Sequence, residues 1–120
     1  MRRMKYPVTP DGRYFVAKRR LWRCTDPTLD DTARRAAIKR LMQARRAVFA
    51  GQKAEDDAAI AKARALVDAA KRDLGERGPV WWDDGAPDEG GKHPKNSSYA
   101  DWWERLDEKH REAAGEPPQS

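Results

Sequence analysis

Apolar residues recur through the middle of the chain at steps of three and four. Ile60, Ala63, Val67, Ala70 and Leu74 follow steps of 3, 4, 3 and 4, which places their side chains on one narrow side of an α-helix. Ala59 and Leu66 widen the stripe. Asp56 and Asp57 suit the positive end of the helix dipole, and Gly75 supplies a stop. The pattern predicts a helix from about Lys53 to Leu74, with a seam of coiled-coil type. Upstream, Ile38, Leu41, Met42, Val48 and Phe49 keep helical spacing and predict a first helix ending near Ala50. Thr28 followed by Asp31 resembles a capping box with Asp in place of Glu, and Gly51 reads as the stop. A short link at Gly51 turns the two helices antiparallel.

Before the helices the periodicity changes. Residues 1–12 read as an extended arm ending in the turn Pro10-Asp11-Gly12. Two short runs rich in β-formers follow, Arg13-Tyr14-Phe15-Val16-Ala17 and Leu21-Trp22-Arg23-Cys24-Thr25, around Lys18-Arg19-Arg20. They read as a β-hairpin over 13–25, although the link lacks the Asn-Gly or Asp-Gly of a tight hairpin turn. A lone hairpin is marginal in water, so it needs something to dock on. After the helices, residues 76–97 hold four Gly, three Pro and three Asp and read as an irregular loop. A third helix is expected over 98–114, with Asp101 at its N3 position. Its Tyr99, Trp102, Trp103 and Leu106 fall on one apolar face. Residues 115–120 read as a disordered tail. The fold class expected is mainly α. It has an antiparallel two-helix hairpin over 28–75, an N-terminal β-hairpin and a C-terminal Trp-rich helix, in one small domain spanning 1–114.

Composition sharpens this picture in two ways. Charged residues make up 38% of the 120-residue chain and the mean hydropathy is −1.05, so the core is modest. Trp22, Trp81, Trp82, Trp102 and Trp103 argue against full disorder. At least one Trp of each adjacent pair is expected to pack; an exposed one could anchor a protein partner. The net charge of +5 is uneven, +10 over residues 1–50 and −5 over 51–120. That asymmetry points to a polyanion partner, or to attraction between the halves. A single cysteine, Cys24, no apolar run of membrane-spanning length and no secretory h-region lead to an expected cytoplasmic location.

The candidate chemistry is that of a binding protein. Arg35, Lys39 and Arg46 share one flank of the first helix, and Lys18, Arg19, Arg20 and Arg23 cluster in the hairpin. Such cations can neutralise phosphates, while Tyr14, Phe15 and Trp22 offer stacking surfaces for unpaired bases. A solvated charged helix face accounts for the same residues without a ligand. Asp83, Asp84, Asp88 and Glu89, with His93 nearby, would suit a hard cation, but their spacing is not that of an EF-hand and such residues also build turns. Cys24, His93 and His110 lack the paired spacing of structural zinc. His110, four residues after Leu106, reads as a packing residue or a cation at a helix C-terminus. Ser97 and Ser98 read as helix caps, and neither a P-loop nor a dinucleotide fingerprint occurs. No catalytic residue, metal or cofactor is therefore expected.

Several strings carry a resemblance. They are Tyr6-Pro7-Val8-Thr9-Pro10-Asp11-Gly12-Arg13-Tyr14-Phe15-Val16, Leu21-Trp22-Arg23-Cys24, Gly75-Glu76-Arg77-Gly78-Pro79-Val80-Trp81-Trp82, Asp84-Gly85-Ala86-Pro87-Asp88 and Tyr99-Ala100-Asp101-Trp102. In them the chain resembles a family of short, largely uncharacterised proteobacterial proteins, some labelled automatically as Tol-type biopolymer transport. The Glu89-Gly90-Gly91-Lys92 stretch departs from that pattern. The resemblance implies no activity for any residue. The residues themselves support a non-catalytic nucleic-acid-binding module using Arg19, Arg20, Arg23, Arg35, Lys39 and Arg46, with Trp22 as a stacker. The alternative is a protein-interaction module using the helical hairpin or an exposed Trp. The oligomeric state stays open.

Overall fold

The computed structural model describes residues 6–115. The basic start of the expected arm, residues 1–5, and residues 116–120 of the expected tail lie outside the described residues. The chain divides into two compact units, one being Thr25–Asp83 and the other the residues up to Cys24 together with those from Asp84 onward.

The first unit is the helical hairpin, made of α1 (Asp31–Lys53) and α2 (Asp57–Asp73). Its start differs from the expected capping box. Asp30, not Thr28, is the cap, its carboxylate accepting the Ala33 N–H at 3.1 Å. Thr28 instead donates its N–H and hydroxyl to Asp26 in a local turn. Gly51 is not the stop either. It is buried inside α1, and a Cβ there would stand 3.0 Å from Ile60 Cγ1 and 3.2 Å from Ile60 N. The glycine serves close approach of α2. The helix ends two residues later in a Schellman closure, with the Asp56 N–H on Gly51 O and the Glu55 N–H on Gln52 O. Glu55 holds the left-handed position, φ 54°, where glycine is usual. Asp56 caps α2 through Ala59 N–H, and α2 closes the same way with Gly75 at φ 78°.

The buried contact between the helices is formed by Ala37, Leu41, Ala70 and Leu74, with Leu29 and Val67 packed against them. Ala44 and Ala63 are buried as well, while Ile60 is half-buried. This bears out the α2 seam and corrects the α1 stripe. Of the five expected apolar positions on α1 only Leu41 is fully buried, Val48 is half-buried, and Ile38, Met42 and Phe49 are 38%, 48% and 64% exposed. Small residues line the touching side, so the larger ones are rotated to the flank. Leu66, expected to widen the seam, is 53% exposed. Past α2, Trp81 lies against Gly75 and meets Trp82 edge to face, with ring centroids 5.0 Å apart; Trp82 is buried.

The second unit is built on β1 (Tyr14–Ala17) and β2 (Arg20–Arg23), paired antiparallel with Val16 opposite Leu21 and Phe15 opposite Trp22. Its docking partners are two irregular segments. The Val16 N–H donates to Pro7 O and the Thr9 N–H to Tyr14 O beside β1. Beside β2, the Leu21 N–H donates to Lys92 O and the Gly91 N–H to Leu21 O. Both hairpin edges are thus hydrogen-bonded, which a free two-stranded ribbon lacks. Alternation buries Tyr14, Val16, Leu21 and Arg23 on one face.

The expected third helix is two short ones, α3 (Ala100–Arg105) and α4 (Glu108–Ala113). The break falls at Leu106, whose backbone is extended, because Asp107 caps α4 by accepting the His110 N–H at 2.9 Å. Tyr99, not Ser98, is the N-cap of α3. Trp103 is buried, with His93 edge-on at 5.6 Å. No described helix is long and apolar enough to cross a membrane.

Carboxylates tie this unit together. Asp11 accepts hydroxyls from Thr9 and Tyr99, both at 2.7 Å, and Asp88 meets the Arg23 guanidinium at 2.8 Å. At Asp11 burial opposes ionisation, but the two hydroxyls and Arg13 outweigh it; at Asp88 the Gly90 N–H and Arg23 outweigh burial in the same way. Both carboxyls are held below the usual range. The unfolded chain binds these protons at the ordinary value of about 3.9. The stabilisation is therefore complete above about pH 4 and disappears as pH falls through the depressed folded values. Melting temperature should hold level down to about pH 4 and then drop. Asp11→Asn combined with Asp88→Asn should flatten that acid limb; an unaltered limb in the double variant would place its origin elsewhere.

Candidate nucleic-acid interface

The outward face of the hairpin follows from the same alternation. Phe15 and Trp22, paired across the strands, point away from the buried face, and Tyr6 stacks on Phe15 with centroids 5.8 Å apart and planes 20° apart. The Trp22 indole is fixed by its Nε1–H, which donates to Ala17 O at 2.7 Å, yet the residue stays 39% exposed. Arg20 lies two residues from Trp22 on the same face and donates Nη1–H to Gly91 O at 3.1 Å. Lys18 and Arg19 form the turn between the strands, and both are exposed. Lys18, Arg19, Arg20, Gly91 and His93 line an open cleft of about 330 Å³.

Two expected members do not belong to this face. Arg23 points inward, its side chain 5% exposed and paired with Asp88, so its charge is committed inside the unit. Tyr14 is buried too; it accepts the Glu89 N–H at 2.8 Å and meets Tyr99 edge to face. Burial, first, and the Asp88 charge push its phenol upward. Strand parity separates Arg23 and Tyr14 from Trp22 and Phe15.

The helical unit carries the other cations. Arg35, Lys39 and Arg46 are exposed on α1. Arg35 pairs with Asp31 at 3.0 Å, whereas Lys39 and Arg46 have no carboxylate partner among the described residues. Arg45, Arg64 and Arg77, with Val48 and Val67, line a second cleft of about 380 Å³; Arg77 is held at 3.1 Å by Asp68. Arg64 and Arg77 were not legible as partners of Arg45, because only the helix pairing places them there. The sites thus fall into two groups, Arg19, Arg20 and Trp22 in one unit and Arg35, Lys39 and Arg46 in the other.

The acidic loop has other work. Asp84 pairs with Arg13, Asp88 with Arg23, and Glu89 accepts the Ser98 N–H at 2.9 Å. Among the described residues no three His, Cys, Asp or Glu side chains converge to hold a metal. His110 is exposed and not a packing residue; its Nδ1 lies 2.6 Å from Asp107 Oδ1. Ser97 does not cap the start of α3; its Oγ accepts the Tyr99 N–H at 3.1 Å in the turn before that helix.

No protein-family model matches the chain, and neither the curated proteins nor the solved structures give a match.

Proposed function

We propose that the chain is a non-catalytic nucleic-acid-binding module whose hairpin unit holds a single strand. The observation that carries this reading is the outward face of the hairpin, where Trp22, 39% exposed, shares one strand face with Arg20 next to the turn cations Lys18 and Arg19. Aromatic faces accept any base by stacking, and adjacent cations track the phosphates; single-strand binders combine the same two elements. Lys39 and Arg46 on α1 add cationic surface that no carboxylate among the described residues neutralises.

Binding of short single- and double-stranded DNA and RNA, measured across a salt series, tests it. Affinity for single strands should fall steeply with salt, and Trp22→Ala should weaken it by about 1–3 kcal/mol. Arg35→Ala with Lys39→Ala should reduce the salt dependence if α1 contacts phosphates. No binding at low salt would end this reading.

A second reading rests on a different observation. Ile38, Met42 and Phe49 lie along one exposed side of α1 over about 17 Å, beside Arg35, Lys39 and Arg46. Exposed apolar rows of this kind mark protein interfaces. A protein partner retained after nuclease treatment, and lost on Met42→Ser with Phe49→Ser, would support it over the first.

A further inference from the structure

The hairpin tip is where the sequence departs from what its backbone asks for. Lys18 and Arg19, the two residues between β1 and β2, have φ of 54° and 63°. Both central positions are left-handed, as in a type I′ turn, which strongly prefers Asn-Gly. Side chains held there oppose their own conformational preference, and such positions gather at ligand-binding sites. Among the described residues the fold makes no use of these two side chains. Both are exposed, and neither pairs with a carboxylate among the described residues.

Backbone contacts clamp the tip from two sides. The Arg19 N–H donates to Ala114 O at 2.8 Å, and a Cβ on Gly115 would stand 3.0 Å from Lys18 Cα. Opposite, Leu21 exchanges hydrogen bonds with Gly91 and Lys92, and Arg20 reaches Gly91 O. The cleft between is lined by Lys18, Arg19, Arg20, Gly91 and His93, with no carboxylate among them. The Lys18, Arg19 and Arg20 side chains there carry cationic donors. His93 Nδ1 accepts the Lys95 N–H at 3.1 Å.

We propose that this cleft binds a phosphate group, and that the disfavoured turn is retained because it holds two cations at the rim. Guanidinium forks match phosphate oxygens in geometry as well as charge. A volume of about 330 Å³ lies at the small end of ligand sites, which suits a group the size of a phosphate. The inference rests on the nucleic-acid reading only for the source of that phosphate, which is then a phosphate of the bound strand.

The test is the full chain carrying Lys18→Asn and Arg19→Gly together, compared with wild type and with Lys18→Gln/Arg19→Gln. Binding is followed by amide chemical shifts during titration with inorganic phosphate, then with a short oligonucleotide with and without a 5′-phosphate. Wild type should show saturable shifts confined to residues 18–20 and 91–93. Both variants should bind phosphate at least tenfold more weakly, while the Asn-Gly variant melts at a higher temperature than wild type. Phosphate binding unchanged in the variants, or a lower melting temperature for Asn-Gly, overturns the proposal. Wild type that binds the oligonucleotide but not phosphate at these amides sinks the cleft and spares the wider reading. Phosphate binding without any oligonucleotide binding does the reverse.

Discussion

Leu74→Ala should destabilise the helical unit by about 2–5 kcal/mol, the range for emptying a buried leucine site. Leu74 is 1% exposed and packs with Ala37, Leu41 and Ala70. Two of its neighbours, Ala37 and Ala70, have side chains too short to collapse into the space. Marginal stability of about 5–15 kcal/mol makes such a loss a large fraction of the total. Leu66→Ala is the matched comparison, because Leu66 is on α2, the helix that Leu74 ends, but is 53% exposed; its effect should stay within about 0.5 kcal/mol. Urea unfolding followed by far-ultraviolet dichroism measures both. Equal effects of the two substitutions would mean that the seam does not face α1.

Tyr14→Ala should cost the hairpin unit about 3–5 kcal/mol, as for other large aromatics removed from a core. The ring is 1% exposed and packs edge to face on Tyr99 at 5.7 Å. Tyr14→Phe separates packing from hydrogen bonding. It keeps the ring but deprives the Glu89 N–H of its acceptor, a loss of about 1–3 kcal/mol. Thermal and denaturant unfolding of both variants should therefore rank alanine well below phenylalanine. If phenylalanine were as damaging as alanine, the hydrogen bond and not the ring would hold this element in place.

The helices were legible because their signals are local. The seam from Ala63 to Leu74 repeats at helical spacing, and its buried members bear the pattern out. The hairpin was legible from two β-forming runs. What misled was residue identity without partner. Gly51 looked like a stop, but it is a point where α2 comes close, and the true left-handed closure fell on Glu55. Thr28 looked like a cap, but Asp30 lies nearer the first turn and is the stronger competitor for its N–H groups. Asp107 broke the last helix for the same reason.

The candidate site was legible as cations and aromatics, and less so as a surface. Arg23 and Trp22 are neighbours in sequence with opposite fates, one facing Asp88 inside and the other facing solvent. His93 entered only as a possible metal ligand; its place beside Lys18 and Arg19 needed Gly91 to lie alongside Leu21.

By itself the sequence determined the element types and the uneven charge, because helical periodicity, turn chemistry and side-chain ionisation act over a few residues. Only the tertiary structure decided which side of α1 is covered, which arginines are committed to carboxylates, and that two residues with no preference for it adopt the left-handed turn at the hairpin tip. Those outcomes depend on residues as far as ninety-five positions apart, as with Arg19 and Ala114, and on burial, which no local window contains.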